Sequence, residues 1–299
     1  MISIAMAAYN GAKYLPEQMD SILNQTISDI EIVICDDCST DKTWEILQSY
    51  AANDARIHCY RNDSNLGFKK NFEKAISLCQ GEFVALSDQD DIWEKNHLEV
   101  LQNLIGNYDI ACGNAELIDK YGNDLNKTLS EADYFYKKAK NHQDYIYRIL
   151  FNSSCFQGAS MLINRKFLNC AIPIPDKVQY HDSWFALLAC FNKGLLYSHQ
   201  IITQHRRHEN NASQRTNWHH LFNRIYFKRN VRRGRDLMVS AIQNRLKDNL
   251  TNDQKKILEF IEQYKINRKS FLGKIKNCLF RLRHHSKIYT TSNKVFLEW

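Results

Sequence analysis

The sequence predicts an α/β fold in which a mostly parallel sheet is flanked by helices. Within residues 1–90, short apolar runs rich in β-branched residues alternate with segments whose apolar residues recur at helical spacing. The apolar runs are continuous, which is typical of strands that are buried on both faces of a parallel sheet. Polar residues follow three of these runs, at the strand ends where such sheets bind ligands.

Two strand–helix units occupy the start of the chain. "ISIAMAA" predicts a strand, and a helix follows after the loop residues "YNGAKY". The apolar face of this helix consists of Leu15, Met19, Ile22 and Leu23. "IEIVICDD" predicts a second buried strand. Ser39, Thr40 and Asp41 are all favourable N-cap residues, so we expect the second helix to begin directly after them.

Two further strands, "RIHCYRN" and "GEFVALSD", flank a third helical segment. The apolar side of that segment consists of Phe72, Ala75, Ile76 and Cys79. The polar clusters at the predicted strand ends are Tyr9-Asn10, Asp36-Asp37 and Asp88 to Asp91. Because the carboxyl ends of parallel strands lie at one edge of the sheet, we expect these clusters to share a single site.

The pattern is looser after Asp109. "DIACGNAELID" and "CFQGASMLIN" predict strands, separated by a polar, aromatic-rich insert at about residues 122–152. "HDSWFALLACFNKG" predicts a helix that ends near Gly194. "LLYSHQIITQHRRHENN" predicts a strand that runs into a polar turn, and from Trp218 onward the pattern is helical, basic and amphipathic.

Composition excludes several protein classes. The chain of 299 residues is 44% apolar and 12% aromatic, which indicates a globular core rather than a disordered protein. Nine cysteines, an odd number spread along the chain, favour reduced thiols over a disulfide framework. The N-terminus lacks a basic leader, and no apolar run approaches the roughly 20 residues needed to cross a bilayer. We therefore expect a cytoplasmic protein.

Charge is distributed unevenly along the sequence. Residues 204–299 contain 22 Lys and Arg against 7 Asp and Glu, a net charge of +15, whereas residues 1–203 have a net charge of −8. Such asymmetry is typical of a chain with two tasks. We expect the acidic part to hold cations and the basic part to meet an anionic surface.

The segment "ALSDQDDIW" places three carboxylates within four residues. In an extended segment Asp88 and Asp90 point to the same side, where carboxylates are suitable ligands for Mg²⁺ or Mn²⁺. Two carboxylates are too few to enclose such an ion, which typically completes its shell with water and substrate phosphates. The pattern favours a metal shared with a diphosphate; a solvated turn that caps a helix is the alternative.

Four segments resemble the inverting family 2 glycosyltransferases in order and spacing: "AYNGAKYLPEQMDSILNQT", "ICDDCSTDKTWEIL", "NLGFKKNFEKA" and "ALSDQDDIW". The resemblance is strong over residues 1–115 and fainter to about residue 215. "DQDDIW" is similar to the rhamnosyltransferase-like branch, which builds bacterial surface polysaccharides. The resemblance implies a Rossmann-like GT-A fold, hexosyl or deoxyhexosyl transfer from a nucleotide sugar, and Mn²⁺ or Mg²⁺ as cofactor.

The resemblance also implies nucleotide contacts at the first two strand ends. Ala8, Tyr9 and Asn10 match the first-strand motif that lies against the nucleotide. Asp37 matches the aspartate that hydrogen-bonds a uracil or thymine ring, with Asp36 beside it; an ionised carboxylate is a suitable acceptor for an imide N–H. Capping of the following helix is the alternative for this pair. The family usually has glycine where this sequence has Cys38.

Further nucleotide and metal contacts are implied downstream. Gly67 and Asn71 match a segment near the nucleotide, where Lys69 and Lys70 either screen phosphate charge or are simply exposed. Asp88 matches a carboxylate near the ribose and the metal, and Asp90 matches the direct metal ligand. Asp91 instead orients the loop or caps the helix after Trp93.

The acceptor side of the resemblance lies in two later segments. "HDSW" resembles an "ED" motif at a helix start, in which Asp182 aligns with the general base and His181 replaces glutamate. Asp182 as a helix N-cap is the alternative. "QHRRHENNAS" resembles a segment near the diphosphate. There Arg207 is expected to neutralise the leaving group and His208 to bind the metal, with Arg206 and His205 as the alternatives.

These expectations divide the chain into a glycosyltransferase domain (1–215, with halves 1–115 and 116–215) and a basic helical region (216–299). "FKRNVRRGR" with its apolar neighbours is typical of helices that bind an anionic membrane, although a solvated charged face is the commoner origin of such runs. The expected donor is a UDP- or dTDP-sugar and the acceptor a saccharide or lipid-linked saccharide. The other hypothesis is a non-enzymatic nucleotide- or polyanion-binding protein; a nucleic-acid partner is not expected, because no recognisable module is present.

Overall fold

The computed structural model describes residues 1–133, 141–151, 156–176, 178, 180–209, 211, 234 and 236–284. The strands of its sheet are β1 (Ile2–Ala8), β2 (Ile30–Asp36), β3 (Ile57–Arg61), β4 (Phe83–Asp88), β5 (Ile92–Trp93), β6 (Ile110–Ile118), β7 (Asp124–Thr128), β8 (Met161–Asn164) and β9 (Leu195–Arg206). They form one sheet in the order β3-β2-β1-β4-β8-β6-β9-β5, and β7 pairs with β6. Strands β1 to β4 are parallel, and so are β6 and β9, whereas β8 runs antiparallel to both β4 and β6.

Helices cover both faces of this sheet. They are α1 (Leu15–Leu23), α2 (Thr43–Asn53), α3 (Phe68–Leu78), α4 (His97–Ile105), α5 (Leu129–Asp133), α6 (His142–Phe151), α7 (Arg165–Ala171), α8 (His181–Cys190), α9 (236–245), α10 (Asn252–Asn267) and α11 (Phe271–Arg283). Alternate residues of β1 point into two cores: Ile4 and Met6 pack with α1, α2 and α4, whereas Ala5 packs with α3 and α8. The predicted mostly parallel sheet with helices on both faces is confirmed.

The C-terminal helices pack onto the face that carries α3, α6 and α8. Their buried residues belong to the same apolar core as those helices, and aromatic rings join them to α6. The ring of Tyr147 lies 5.4 Å from that of Phe280, and the ring of Phe151 lies 4.6 Å from that of Tyr264. The basic segment predicted around residues 218–231 lies outside the described residues. Among the described helices, none is both long and apolar enough to cross a bilayer.

Two local expectations can be compared with the structure, and the second is wrong. Helix α2 begins at Thr43, whose amide donates to Asp41 Oδ1 at 3.0 Å, whereas Ser39 and Thr40 are engaged by Asn10. Strand β4 ends at Asp88, and residues 89 and 90 form a turn, so Asp88 and Asp90 are not on one side of an extended segment. In both places a side-chain contact to the loop after β1 competes with the regular backbone pattern.

Cys38 has a left-handed backbone, with φ of 62°. This conformation costs a residue with a Cβ about 1–2 kcal/mol, and glycine adopts it without that cost. The observation explains why the similar family usually has glycine here. The thiol is one of eight free cysteines in the described part of the chain, and Cys35 beside it is buried.

We expect Cys38→Gly to raise the free energy of unfolding by about 1 kcal/mol, after allowance for the larger entropy of unfolded glycine. Chemical denaturation of the purified protein measures the change. Cys38→Ala is the matched control, because it removes the thiol and keeps the Cβ. Equal stabilisation by both variants would show that the thiol, and not the backbone, is the unfavourable feature.

Candidate active site

The loops that follow β1 and β2 are held together by side-chain hydrogen bonds. The Asn10 amide donates to Ser39 Oγ at 2.9 Å, and Asn10 Oδ1 accepts the Thr40 amide at 2.8 Å. The Gly11 amide donates to Thr43 Oγ1 at 2.8 Å. These bonds place the exposed residues Tyr9 and Asn10, predicted from the sequence, beside the Asp36-Asp37 pair, whereas Ala8 is buried in the strand.

Asp37 lies at the start of the loop after β2 and is nearly fully buried. Its Oδ1 accepts the Leu66 amide and Asn62 Nδ2, each at 2.8 Å, and its Oδ2 accepts the Gly67 amide at 2.9 Å. A carboxylate oxygen can accept two hydrogen bonds, so Oδ2 retains capacity for one further donor. Asp37 thus ties the loop after β2 to the start of α3 and can still accept an imide N–H.

Asp36 has a different environment. It is fully buried, its Oδ2 lies 3.3 Å from Arg61 Nε and accepts the Ser39 amide at 3.2 Å, and its Oδ1 has no hydrogen-bond partner in the described part of the chain. These contacts hold the loop backbone. Of the two neighbouring aspartates, Asp37 therefore faces the segment that the sequence placed near the nucleotide, and Asp36 faces Arg61.

Gly67 and Asn71, both predicted from the sequence, belong to this network in different ways. Gly67 precedes α3 with φ of 80° and donates its amide to Asp37. Asn71 is buried; its Nδ2 donates to the Cys35 carbonyl at 2.7 Å, and its Oδ1 accepts Asn62 Nδ2 at 2.8 Å. In this structure Asn71 therefore supports the loops from within.

The acidic centre of the site consists of the carboxylates of Asp88, at the end of β4, and of Asp90 and Asp91, just after it. Gln89 bonds the backbone of Tyr9 through both ends of its amide, at 2.8 and 2.9 Å, which joins this turn to the loop after β1. The pKa of Asp88 is raised well above its usual range by burial and by the neighbouring Asp91 and Asp90 carboxylates. The Asp182 carboxylate also contributes, less strongly, to the raised pKa of Asp88.

Asp90 and Asp91 have separate histidine partners. Asp90 Oδ2 lies 2.7 Å from His208 Nε2 and 3.5 Å from Asn211 Nδ2. Asp91 is almost fully buried; Oδ1 lies 2.9 Å from His205 Nδ1 and accepts the Arg206 amide, and Oδ2 accepts Gln157 Nε2 at 3.0 Å.

The two pairs differ in their surroundings. Burial lowers the pKa of His205, but the Asp91 carboxylate outweighs that effect and raises it. Asp91 is therefore committed to the scaffold and does not cap helix α4, which has Asn96 at its N-cap. His208 is the histidine that lies beside the predicted metal ligand Asp90.

Arg206 and Arg207 are distinguished in the same way. Arg206 is buried, donates to Glu17 Oε2 at 2.5 Å and to the Asp90 carbonyl at 3.0 Å, and lies over the Tyr14 ring. Arg207 Nε is buried without a hydrogen-bond partner in the described part of the chain. Burial lowers the pKa of Arg207, and the Asp91 charge opposes that shift. Arg207 is therefore the arginine with donor capacity to spare.

The chemistry of the acidic centre fits a divalent cation. Among the described residues, no group of three or more His, Cys, Asp or Glu side chains is arranged to enclose a metal ion. However, burial and the repulsion from Asp91 and Asp90 raise the pKa of Asp88, and a bound cation would favour its ionised form. Carboxylates with one imidazole suit Mn²⁺ or Mg²⁺ when substrate phosphates complete the shell. Of the predicted ligands Asp88, Asp90 and His208, the structure brings Asp90 and His208 into contact, with His208 Nε2 2.7 Å from Asp90 Oδ2.

Asp182 lies in the first turn of α8, where the N-cap position is Tyr180. Burial raises the pKa of Asp182 to about 6, although the Ser183 amide and hydroxyl partly offset this effect. A carboxyl group with this pKa is ionised at neutral pH and is a stronger base than an exposed aspartate. Because the N-cap position of α8 is Tyr180, Asp182 is not the helix N-cap.

His181 is buried beside Asp182, with its ring 4.4 Å from that of Phe72. Neither ring nitrogen has a hydrogen-bond partner among the described residues, and burial lowers the pKa of His181 to about 4. The imidazole is consequently neutral at physiological pH. Where the family's glutamate would add a second negative charge, this chain has an uncharged packing residue.

Sequence reasoning missed Gln89, Gln157 and the Glu17–Arg206 ion pair. Gln89 lies between Asp88 and Asp90 in "ALSDQDDIW", so its position in this acidic segment could have marked it as a candidate site residue. Gln157 contacts residues 66 and 48 positions away in the chain, and Glu17 lies 189 positions from Arg206. No local pattern predicts pairings over such separations.

The chain matches the family model "Glycosyl transferase family 2" over residues 3–171, more than half of its length. It is 39% identical over 99 residues to the putative teichuronic acid biosynthesis glycosyltransferase TuaG of Bacillus subtilis, covering 33% of this chain and 39% of TuaG. It is also 39% identical over 93 residues to the Escherichia coli UDP-Glc:alpha-D-GlcNAc-diphosphoundecaprenol beta-1,3-glucosyltransferase WfaP, covering 31% of this chain and 36% of WfaP. The aligned part thus spans well under two thirds of these relatives.

Solved structures share the fold. TarS 1–349 of S. aureus, in complex with UDP-GlcNAc, has a TM-score of 0.57 and 16% identity and covers 96% of this chain and 88% of TarS. The mannosyltransferase PcManGT of Pyrobaculum calidifontis, in complex with GDP-Man and Mn²⁺, has a TM-score of 0.58 and 16% identity and covers 86% of this chain and 68% of PcManGT. At this identity the likeness concerns the fold alone.

Proposed function

The chain belongs to glycosyl transferase family 2 and has the GT-A fold, and from that premise we propose that it transfers a sugar with inversion from a UDP- or dTDP-sugar to a hydroxyl of a saccharide or lipid-linked acceptor. One observation carries the proposal. The carboxyl ends of β1, β2 and β4 bring Asp37, Asp88 and Asp90 to one edge of the sheet, with His208 Nε2 2.7 Å from Asp90 Oδ2, and this arrangement suits a nucleoside diphosphate bound with a divalent cation.

In the proposed reaction the acceptor oxygen attacks C1 of the donor sugar. The bond from C1 to the diphosphate oxygen breaks as the new bond forms, and the nucleoside diphosphate leaves with that electron pair. Asp182 takes the acceptor proton, which prevents an oxonium from building up on the attacking oxygen. Attack from the side opposite the leaving group inverts the configuration at C1.

The donor is held at the other side of the site. Asp37 accepts the imide N–H of the pyrimidine, Tyr9 and Asn10 flank the nucleotide, and Arg207 pairs with the diphosphate. A divalent cation held by Asp88, Asp90 and His208, when bound, neutralises charge on the leaving diphosphate. Support for a nucleotide-sugar donor and a divalent cation, as distinct from these residue roles, comes from the GDP-Man and Mn²⁺ bound by PcManGT and the UDP-GlcNAc bound by TarS, which share the fold.

A thermal-shift screen of UDP-, dTDP- and GDP-sugars, each with and without Mn²⁺, tests the proposal. A ligand that binds only the native state raises the melting temperature. We expect UDP- or dTDP-sugars to raise it, and to do so more strongly when Mn²⁺ is present. If only GDP-sugars raised the melting temperature, the assignment of a pyrimidine nucleotide would be wrong. If none of the nucleotide sugars raised it, the proposed donor site would be wrong.

The proposed setting is bacterial surface polysaccharide synthesis at the inner face of the plasma membrane. TuaG and WfaP support it through their printed roles in teichuronic acid biosynthesis and on a diphosphoundecaprenol-linked acceptor. The chain's own support lies at α11, which has four basic residues and no acidic one. Leu272 and Leu279 on this helix are 71% and 59% exposed, which is typical of helices that lie on anionic membranes.

We expect the double variant Leu272→Glu/Leu279→Glu to bind phosphatidylglycerol vesicles at least about tenfold more weakly, because it loses apolar contact and gains repulsion. Vesicle co-sedimentation at low and high salt measures this. Leu125→Glu on β7 is the matched control, since Leu125 is a 47% exposed leucine far along the chain from α11. Unchanged partitioning of the double variant would remove α11 from the membrane contact.

A further inference from the structure

Lys69, in the first turn of α3, holds the chain segment that leads to Asp182. Its Nζ donates to the carbonyl oxygens of Pro175, Asp176 and Val178, at 3.2, 2.5 and 3.0 Å. An ammonium group has three donors, and all three are used here on backbone carbonyls more than 100 positions away. Burial lowers the pKa of Lys69, in keeping with its enclosed position.

Other residues of the same helix face reinforce the contact. Glu73 accepts the Ile174 amide, and its second oxygen accepts Lys70 Nζ at 2.7 Å. Lys70 Nζ also lies 3.6 Å from the Asp176 carboxylate, whose side chain is 86% exposed. The ring of Phe72 packs on His181, the residue that precedes Asp182. Helix α3 therefore fixes both the segment before α8 and the first residue of α8.

The start of the same helix forms the Asp37 site. The amides of Leu66 and Gly67 donate to the Asp37 carboxylate, three and two residues before Lys69 in the chain. The start of α3 and the two residues before it thus contact the expected nucleotide-binding aspartate on one side and the segment that leads to the expected base on the other.

We propose that Lys69 is a positioning residue that sets the location of Asp182 through α3. The proposal rests on the proposed function, because it presumes that Asp182 accepts the proton and that the nucleotide binds beside Asp37. Lys69 is accordingly not a phosphate ligand. Its ammonium is committed to the carbonyl oxygens of Pro175, Asp176 and Val178.

The test compares Lys69→Met with Lys69→Arg and with Lys70→Met. Lys70→Met is the matched control, since Lys70 is the adjacent lysine of the same turn and, among the described residues, reaches the segment only through the exposed Asp176 carboxylate and not through its backbone. Hydrogen exchange at the start of α8, measured without ligand, reports whether the segment is anchored. Binding of UDP and dTDP with Mn²⁺ and turnover of the nucleotide sugar that gives the largest thermal shift report the effect on the reaction.

For Lys69→Met we expect faster exchange at the start of α8 and a kcat between about 10- and 100-fold lower, the range for a displaced reacting group, with donor KM and nucleotide affinity within about twofold of wild type. Lys69→Arg should recover part of kcat because it restores donors to the carbonyls. Lys70→Met should remain near wild type. A purely structural role would instead lower the melting temperature and raise donor KM together.

Two results would overturn the proposal. One is exchange at the start of α8 that is unchanged in Lys69→Met, and the other is a kcat that equals that of Lys70→Met. If Asp182→Asn leaves transfer intact, the proposed base is wrong, and the exchange measurement still decides whether Lys69 anchors the segment. If Lys69→Met fails to fold, Lys69→Arg and Lys69→Gln give the same comparison with smaller losses of hydrogen bonding.

Discussion

Asp182→Asn is expected to reduce sugar transfer by about 10²- to 10⁴-fold while nucleotide binding stays at its wild-type level. Asparagine has nearly the shape of aspartate and cannot accept a proton, so the variant removes the base and keeps the packing. Among the described residues, the hydrogen bonds of Asp37 and Asp90 do not involve Asp182. Initial rates of nucleotide release and titration with UDP or dTDP plus Mn²⁺ measure the two effects separately.

The pH dependence of the wild type provides a second measurement of the same group. The pKa of Asp182 is about 6, so the base is protonated below that pH and ionised above it. We therefore expect the transfer rate to rise with pH through about 6 and then to level off. An acid limb near pH 4 would show that Asp182 is solvated during the reaction, in disagreement with its burial.

The free energy of unfolding of Asp182→Asn shows whether a lost rate comes from the missing base or from a damaged fold. The folded pKa of Asp182 is higher than the ordinary value of 3.8, so its contribution to stability is complete below pH 3.8 and is lost as pH rises through 6. At pH 7 Asp182→Asn should then be more stable than wild type, by up to about 2–3 kcal/mol. Asp248→Asn is the control, because Asp248 is exposed between α9 and α10, and its rate and stability should be unchanged. Loss of nucleotide binding in Asp182→Asn would contradict the assignment.

The sheet and its helices could be predicted because they depend on local periodicity. Continuous apolar runs identify β1, β2 and β4 as strands buried on both faces, and helical spacing identifies α1 and α3. Strand β8 shows where this information ends. Its short apolar run predicts a strand, but its antiparallel position between β4 and β6 depends on tertiary packing that no local pattern contains.

The candidate site divides along the same line. The acidic segments could be recognised from the sequence because several aspartates follow directly after apolar runs that predict strands. The roles within each segment were not, because they depend on distant partners. Asp91 is held by His205 and Gln157, whereas its neighbour Asp90 lies beside His208, and spacing alone cannot separate the two. Lys69 had an equally local alternative, exposure on a helix turn, and its actual partners lie more than 100 residues away.

The distinction between Asp90 and Asp91 leads to the second large expected effect. Asp90→Asn should weaken the Mn²⁺-dependent part of UDP or dTDP binding by at least about 100-fold, because loss of even an outer-sphere partner of a metal commonly costs 10- to 100-fold. The fold should be preserved, since Arg206 Nε bonds the carbonyl of residue 90 and not its side chain. Isothermal titration with and without Mn²⁺ measures the coupling, and a thermal melt measures the fold.

Asp91→Asn, one residue along, should behave in the opposite way. Asp91 is almost fully buried, its carboxylate accepts from the Arg206 amide and from Gln157, and it lies 2.9 Å from His205 Nδ1, so an asparagine amide group in its place leaves one of these buried partners without an acceptor. We expect a lower melting temperature with Mn²⁺-dependent binding retained in the folded protein. If Asp91→Asn abolished the effect of Mn²⁺ and Asp90→Asn did not, the metal ligand would be Asp91. The pairing of Asp90 with His208 would then be the structural one.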